Sequence, residues 1–442
     1  MATRRRFLGG VVAGSGMAVG AAAQVARGQV ARGQVAKDGP ATNAKIRASR
    51  EAALAVLKPS QRDLEHGLEL HREALVVESY GFSPRALLDG LALKKKIDEG
   101  AGAQELTDLQ TEMLLKRVAD DAGQREEYLT AWRASGVTCV LQNAGEESSS
   151  PLKLIKRLAY FTYLTDMMRG QVARAAVPDD IEAAKKAGQF CLYMTGNGVP
   201  LAQQWDSAAE ELEYVRIYFQ LGIRMMHLTY NRRNVLGDGC AEPANGGLSD
   251  LGRAAVAEMN RVGVIVDVAH SGWRTSLEAA KASSKPMVAS HSGAVEVHRH
   301  IRSKPDEVIR AIADTGGYVG VYSVTSFLGR GGDLAAMLDH IEYLVKKFGA
   351  DHVAIGTDLA YIPMGQNEEY RKMGARPKSR TPYESLWPEG ALDNRSHASL
   401  AWTNWPMFTV GMVQRGISDV DIRKILGGNV MRVCRAVWAG RG

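Results

Sequence analysis

Short apolar, β-branched runs alternate along this chain with longer stretches at helical spacing. The runs 74–77, 137–141, 190–194, 223–228, 262–268, 286–290, 318–322 and 353–357 predict eight strands. Between them, Thr107-x-x-Gln110, Ser207-x-x-Glu210 and Ser418-x-x-Asp421 have the form of capping boxes leading into helices. After Ser249, Leu251, Val256, Met259 and Val262 mark a helix that runs straight into the strand before His270. Eight strands with helices between them predict an α/β chain, a closed (β/α)8 barrel with helical and loop insertions. Two connections exceed ordinary length: 85–130 reads as helical, and 362–400, rich in Pro, Gly and charge, reads as a loop over the barrel mouth.

Three of the runs end on a side chain that binds metals: Val264-Ile265-Val266-Asp267-Val268-Ala269-His270, Pro286-Met287-Val288-Ala289-Ser290-His291 and His352-Val353-Ala354-Ile355-Gly356-Thr357-Asp358. In a parallel barrel the strands are buried on both faces and their C-terminal tips carry the chemistry. Two imidazoles and a carboxylate are donors that zinc takes in hydrolytic sites, so the pattern predicts a metallohydrolase. His227 falls within the fourth run and is read as structural. His298 and His300 flank Arg299 in a polar loop and are read as solvated.

Composition adds a leader. Of 442 residues, 45% are apolar and 24% charged, ordinary values for a globular chain. Arg4, Arg5, Arg6, Arg27, Arg32 and Lys37, with no acid before residue 38, account for the whole formal charge of +6, so residues 38–442 balance to zero. The basic balance is therefore no sign of nucleic-acid binding, and no Lys/Arg stripe with interleaved aromatics occurs. Thr3-Arg4-Arg5-Arg6-Phe7-Leu8, a mildly apolar stretch and Ala21-Ala22-Ala23 resemble a twin-arginine export signal with a cleavage site. The apolar part falls short of the roughly 20 residues that span a membrane. The repeat from Ala26 to Val35 reads as a flexible tether, so residues 1–45 are assigned to leader and linker and 46–442 to one catalytic domain. Cys139, Cys191, Cys240 and Cys434 form no metal-binding cluster; Cys139 and Cys191 read as core, and which two could pair stays open. Gly427-Gly428-Asn429 lacks the Lys-Ser/Thr of a phosphate loop, so packing explains it better.

Several blocks together resemble the membrane (renal) dipeptidase family of zinc metallopeptidases. They are Gly247-Leu248-Ser249-Asp250-Leu251-Gly252-Arg253, Met259 to Ser271, Ser290-His291-Ser292, Arg302-Ser303-Lys304-Pro305-Asp306, Ile355-Gly356-Thr357-Asp358, and Asp421 to Asn429. The resemblance is dense over residues 221–438 and thin before them. It implies a zinc barrel that hydrolyses dipeptides and related amides, with His270 and His291 holding one zinc. Asp358 matches a ligand of a second zinc and the handler of the water's proton, and Arg302 matches the arginine that holds the substrate carboxylate. A homodimer is also implied.

The departures are as informative. Where the family carries a His-x-Asp pair on its first strand, this chain has Tyr80 and Phe82; where it carries a metal-bridging Glu, this chain has Gly196 or Asn197; where it carries a histidine after the fourth strand, this chain has Tyr230. The expected centre is therefore reduced to one zinc on His270, His291 and Asp358. Tyr230 and Tyr80 are candidate hydrogen-bond donors to an oxyanion, and Glu78, two residues before Tyr80, is a candidate carboxylate at the barrel mouth. Three functions follow in order: an exported dipeptidase-like hydrolase with a single-metal site, a hydrolase or lyase on the same barrel with a non-peptide substrate, and an inactive ligand-binding relative.

Overall fold

The computed structural model of the protein describes residues 43–145, 150–374 and 397–439. The strands are β1 (Val77–Gly81), β2 (Cys139–Asn143), β3 (Val172–Arg174), β4 (Phe190–Gly196), β5 (Met225–His227), β6 (Ile265–Asp267), β7 (Val288–Ser292), β8 (Tyr318–Val321) and β9 (Val353–Ile355). All pair in parallel, in the order β1-β2-β4-β5-β6-β7-β8-β9, with β3 added beside β4. Where β9 meets β1, the Asp358 N–H donates to Tyr80 O at 3.3 Å and the Phe82 N–H to Leu359 O at 3.1 Å. The result is the nearly closed parallel eight-stranded α/β barrel that the alternation of runs and helices predicts.

The barrel interior and its outer coat are separate apolar clusters. Inward-facing Val77, Tyr80, Leu141, Tyr193, Met225, Ile265, Val288, Tyr318 and Ala354 pack with Val430, Met431, Cys434 and Val437 of the C-terminal helix Asn429–Ala439. That helix plugs one end of the barrel, leaving the chemistry to the other. Outward-facing Val140, Leu192, Met226, Val266, Ala289, Val319 and Ile355 pack against the surrounding helices. All four cysteines are free; Cys139 and Cys191 are register partners on β2 and β4.

Ser207, Ser249 and Ser418 cap helices, accepting from the N–H groups of Glu210, Gly252 and Asp421. Three expectations shift. The first strand is Val77–Gly81 rather than 74–77, because its polar Glu78-Ser79-Tyr80-Gly81 stretch lacks an apolar pattern. The helix containing Thr107 begins earlier, at Ala103 behind Gly102, and the Thr107 hydroxyl donates back to Ala103 O at 2.9 Å. The short strand β3 is too brief to show a period. Gly427 serves packing, as a Cβ there would lie 2.3 Å from Leu75 O. Helices fill 85–130 as expected. Most of the expected leader and residues 375–396 of the expected mouth loop lie outside the described residues. No described helix is long and apolar enough to cross a membrane.

Candidate metal centre and active-site cavity

Two bulges build the site. Between Glu78 and Gly81, β1 sets three steps against two on β2, so Val77 and Tyr80 both face inward. β7 does the same against β8 between Ala289 and Ser292, so His291 turns toward the barrel interior like Val288. The two bulges meet: Ser79 Oγ donates to Ser290 O, and the Tyr80 and His291 rings stack at 4.1 Å with 13° between planes. Gly320 and Gly356 flank that carbonyl, and a Cβ on either would approach Ser290 O to 2.0 or 2.2 Å. His270, three residues beyond the end of β6, lies under Tyr230, whose ring stacks on it at 4.1 Å.

The hydrogen bonds fix which nitrogen of each imidazole carries the proton. His270 Nδ1 lies 2.7 Å from Asn231 Oδ1, an acceptor, so Nδ1 is protonated and Nε2 bears the lone pair. Ser290 Oγ donates to Asp267 Oδ2, leaving its lone pair for His291 Nδ1–H at 2.8 Å. His291 Nε2 is therefore also unprotonated. The two Nε2 atoms face each other at 2.9 Å. Burial, reinforced by the nearby Arg302 charge, holds both histidines well below the ordinary imidazole pKa, so neither ring supplies the missing proton near neutrality. Two lone pairs pointing at one spot call for a cation there, which is the arrangement of ligands oriented from behind.

Asp358 lies at the same end of the barrel, its carboxylate 4.0 Å from His291 Nε2. Its backbone adopts φ +59°, a left-handed conformation uncommon outside glycine and frequent at functional sites. At Tyr80, Phe82, Gly196 and Asn197, where the resemblance implies ligands of a second metal, no carboxylate or imidazole stands. Tyr80 covers His291 and bonds through its hydroxyl to Asn197 Oδ1, while Phe82 and Gly196 offer no donor atom. His227, Asp267 and His291 also bring ligand atoms within 4.8 Å of one another. The Asp267 carboxylate, however, already accepts from Ala269 N, Ser290 N and Ser290 Oγ and lies 2.6 Å from His227 Nε2. Burial alone would raise its pKa; His227 and the Ser290 bonds outweigh that and hold it below the ordinary range. It is an ionised pin rather than an open ligand.

A cavity of about 340 Å³ opens over these residues. Tyr80, Tyr230, His270, Asn197 and Asp358 line its floor, with Phe82, Arg85, Gln110, Asn143, Arg157 and Tyr370 on the walls. Two residues with expected roles lie elsewhere. Arg302 is 2% exposed, sits off the cavity wall, and donates from Nη2 to His291 O at 3.2 Å. Glu78 does not join Tyr80 at the mouth, because the bulge reverses the alternation between them. Its carboxylate turns outward, accepting from Thr357 N at 3.1 Å and from Trp402 Nε1 at 2.8 Å. His300, expected in solvent, stacks on Phe327 at 4.4 Å.

Sequence reasoning passed over Asn231 and Ser290, which orient the two imidazoles, and Arg85 on the wall. Ser290 adjoins His291 in the chain and so had a signal; Asn231 and Arg85 had none beyond following a strand. His227, read as structural, has its ring 5.1 Å from those of His270 and Tyr80.

Comparison with known proteins identifies the family. The family model for membrane dipeptidase (peptidase family M19) matches residues 86–373. Among curated proteins, dipeptidase tcpJ of Claviceps purpurea is 26% identical over 279 residues, 62% of this chain and 57% of its own length. Dipeptidase aclJ of Aspergillus oryzae is 30% identical over 225 residues, 50% of this chain and 46% of its own. The chain thus spans about half the length of the curated relatives it matches. Among solved structures, an amidohydrolase from Pseudomonas aeruginosa superposes with TM-score 0.62 at 25% identity, covering 84% of this chain and 99% of that one. A metallopeptidase from Rhodobacter sphaeroides, liganded with a phosphinate mimic of the dipeptide L-Ala-D-Ala, shares the fold with TM-score 0.59 at 18% identity, covering 83% and 99%. With the family model matching well over half of its length, the chain belongs to the membrane dipeptidase family.

Proposed function

We propose that this protein is an exported, metal-dependent hydrolase of dipeptides or related small amides that works with one metal ion, zinc by its donor set, where the family resemblance implies two. The observation that carries the reading is that the Nε2 atoms of His270 and His291 lie 2.9 Å apart while each ring meets an acceptor at Nδ1, which leaves both Nε2 lone pairs facing one point. His270 and His291 would hold the ion, with Asp358 beside them. Such an ion supplies Lewis-acid polarisation of the scissile carbonyl and a more acidic water at neutral pH.

The residues do the rest. Asp358, 24% exposed in its side chain at the cavity floor, takes the proton of the attacking water and passes it to the leaving amine. Tyr230, stacked on His270 where the family resemblance implies a histidine, offers its phenol to the developing oxyanion. Burial, reinforced by the Arg302 charge, keeps both imidazoles neutral, and Arg302 tethers His291 through its backbone carbonyl. The twin-arginine leader supports action outside the cytoplasm.

Hydrolysis of a dipeptide panel tests the reading. Activity is expected to vanish on chelation, return with zinc, and be absent in both His270→Ala and His291→Ala. Unchanged turnover in both variants, or turnover indifferent to chelator, would sink it.

A further inference from the structure

The cavity needs an anchor for a charged substrate, and the arginine that the family resemblance nominates is out of reach. Arg302 is 2% exposed and bonded to the His291 carbonyl. Arg85 stands on the cavity wall instead, delivered by the Ser83-Pro84-Arg85 segment just beyond β1. Its backbone N–H is tied to Tyr361 O at 3.1 Å. Its guanidinium lies over the Phe82 ring at 4.9 Å, a cation–π contact that sets its plane. No carboxylate among the described residues pairs with it in an ion pair. Arg157 and Asp358 also line the cavity. Phe82 occupies a position where the resemblance implies a metal-binding Asp, so the substitution that removes a ligand also supplies the platform for Arg85.

We propose that Arg85 is the anion anchor of this cavity, binding the free carboxylate of a dipeptide or N-acyl amino acid whose scissile bond then lies over His270 and Asp358. The planar fork of a guanidinium matches a carboxylate in two parallel hydrogen bonds, which an amide cannot reproduce. Partial burial strengthens the preference, because the charge is poorly served by water. The inference rests on the hydrolase reading for the identity of the substrate, but the subsite does not depend on turnover.

The test is calorimetric binding of three probes to the full chain: a dipeptide, its C-terminal amide, and inorganic phosphate. Wild-type protein is expected to bind the dipeptide at least tenfold more tightly than the amide. Arg85→Gln loses that ratio, and Arg85→Lys, which keeps the charge without the fork, retains part of it. Where hydrolysis is measurable, the loss falls on KM rather than kcat. A wild type that does not distinguish acid from amide, or an Arg85→Gln that still does, overturns the inference. If neither peptide is bound or cleaved, the hydrolase reading fails and phosphate decides the subsite. Binding by wild type and not by Arg85→Gln upholds it, and equal or no response from both overturns it.

Discussion

His270 and His291 owe their chemistry to what touches the far side of each ring. Asn231 Oδ1 and Ser290 Oγ each receive an Nδ1–H, so both Nε2 lone pairs point inward. Partners of this kind usually contribute 10- to 100-fold in metal affinity. Ser290→Ala removes the acceptor behind His291 and one of the bonds that pins Asp267, while leaving every ligand in place. Its metal affinity, measured by competition with a chelating dye, is expected to fall by about 10- to 100-fold. Affinity equal to wild type would show that the tautomer is set by something else. At this scale His270, His291 and Asp358 could be read from the sequence because each closes an apolar run. Asn231 could not, since its role depends on a turn that brings it 39 positions back in sequence onto His270.

The strands place these groups through two irregularities rather than through their regular register. In both β1 and β7 one extra residue lets positions three apart share the inner face, bringing Tyr80 over His291. The same bulge sends Glu78 outward, into a buried niche between Thr357 and Trp402. A Cβ on Gly81 would meet Glu78 Oε1 at 2.2 Å, so any side chain there would have to displace the Glu78 carboxylate. Burial pushes the Glu78 pKa up to about 8, against the opposing pull of bonds from Thr357 and Trp402. An acid whose folded-state pKa is raised stabilises the fold fully below its unfolded value, near 4.5, and loses that contribution as pH rises through about 8. Stability is therefore expected to decline between pH 5 and 9 by on the order of a few kcal/mol. Glu78→Gln, neutral throughout, should largely abolish that decline, whatever its stability at pH 5. Urea melts at the two pH values measure both slopes, and an unchanged slope in the variant would refute the assignment. Strand tips were legible as apolar runs ending in polar residues. The bulges were not, because one inserted residue in a five-residue strand leaves the alternation unreadable, and assuming simple alternation put Glu78 on the wrong side of β1.

Across the whole molecule, the eight-stranded barrel followed from the count of runs and helices, since a parallel sheet buried on both faces must be covered all round. Its C-terminal helix closes one end and its insertions build a cavity at the other. What the count could not give was which arginine reaches that cavity: Arg302 carries the recognisable motif yet is buried behind His291, while Arg85 arrives from a connection with no motif at all. We propose that the chain carries one metal where the family resemblance implies two, because Tyr80 and its bond to Asn197 cover the side of His291. Elemental analysis of protein purified without chelator or histidine tag tests it most directly. About one zinc per chain is expected, lost in His270→Ala; two per chain, or none after incubation with zinc, would contradict a single-metal site.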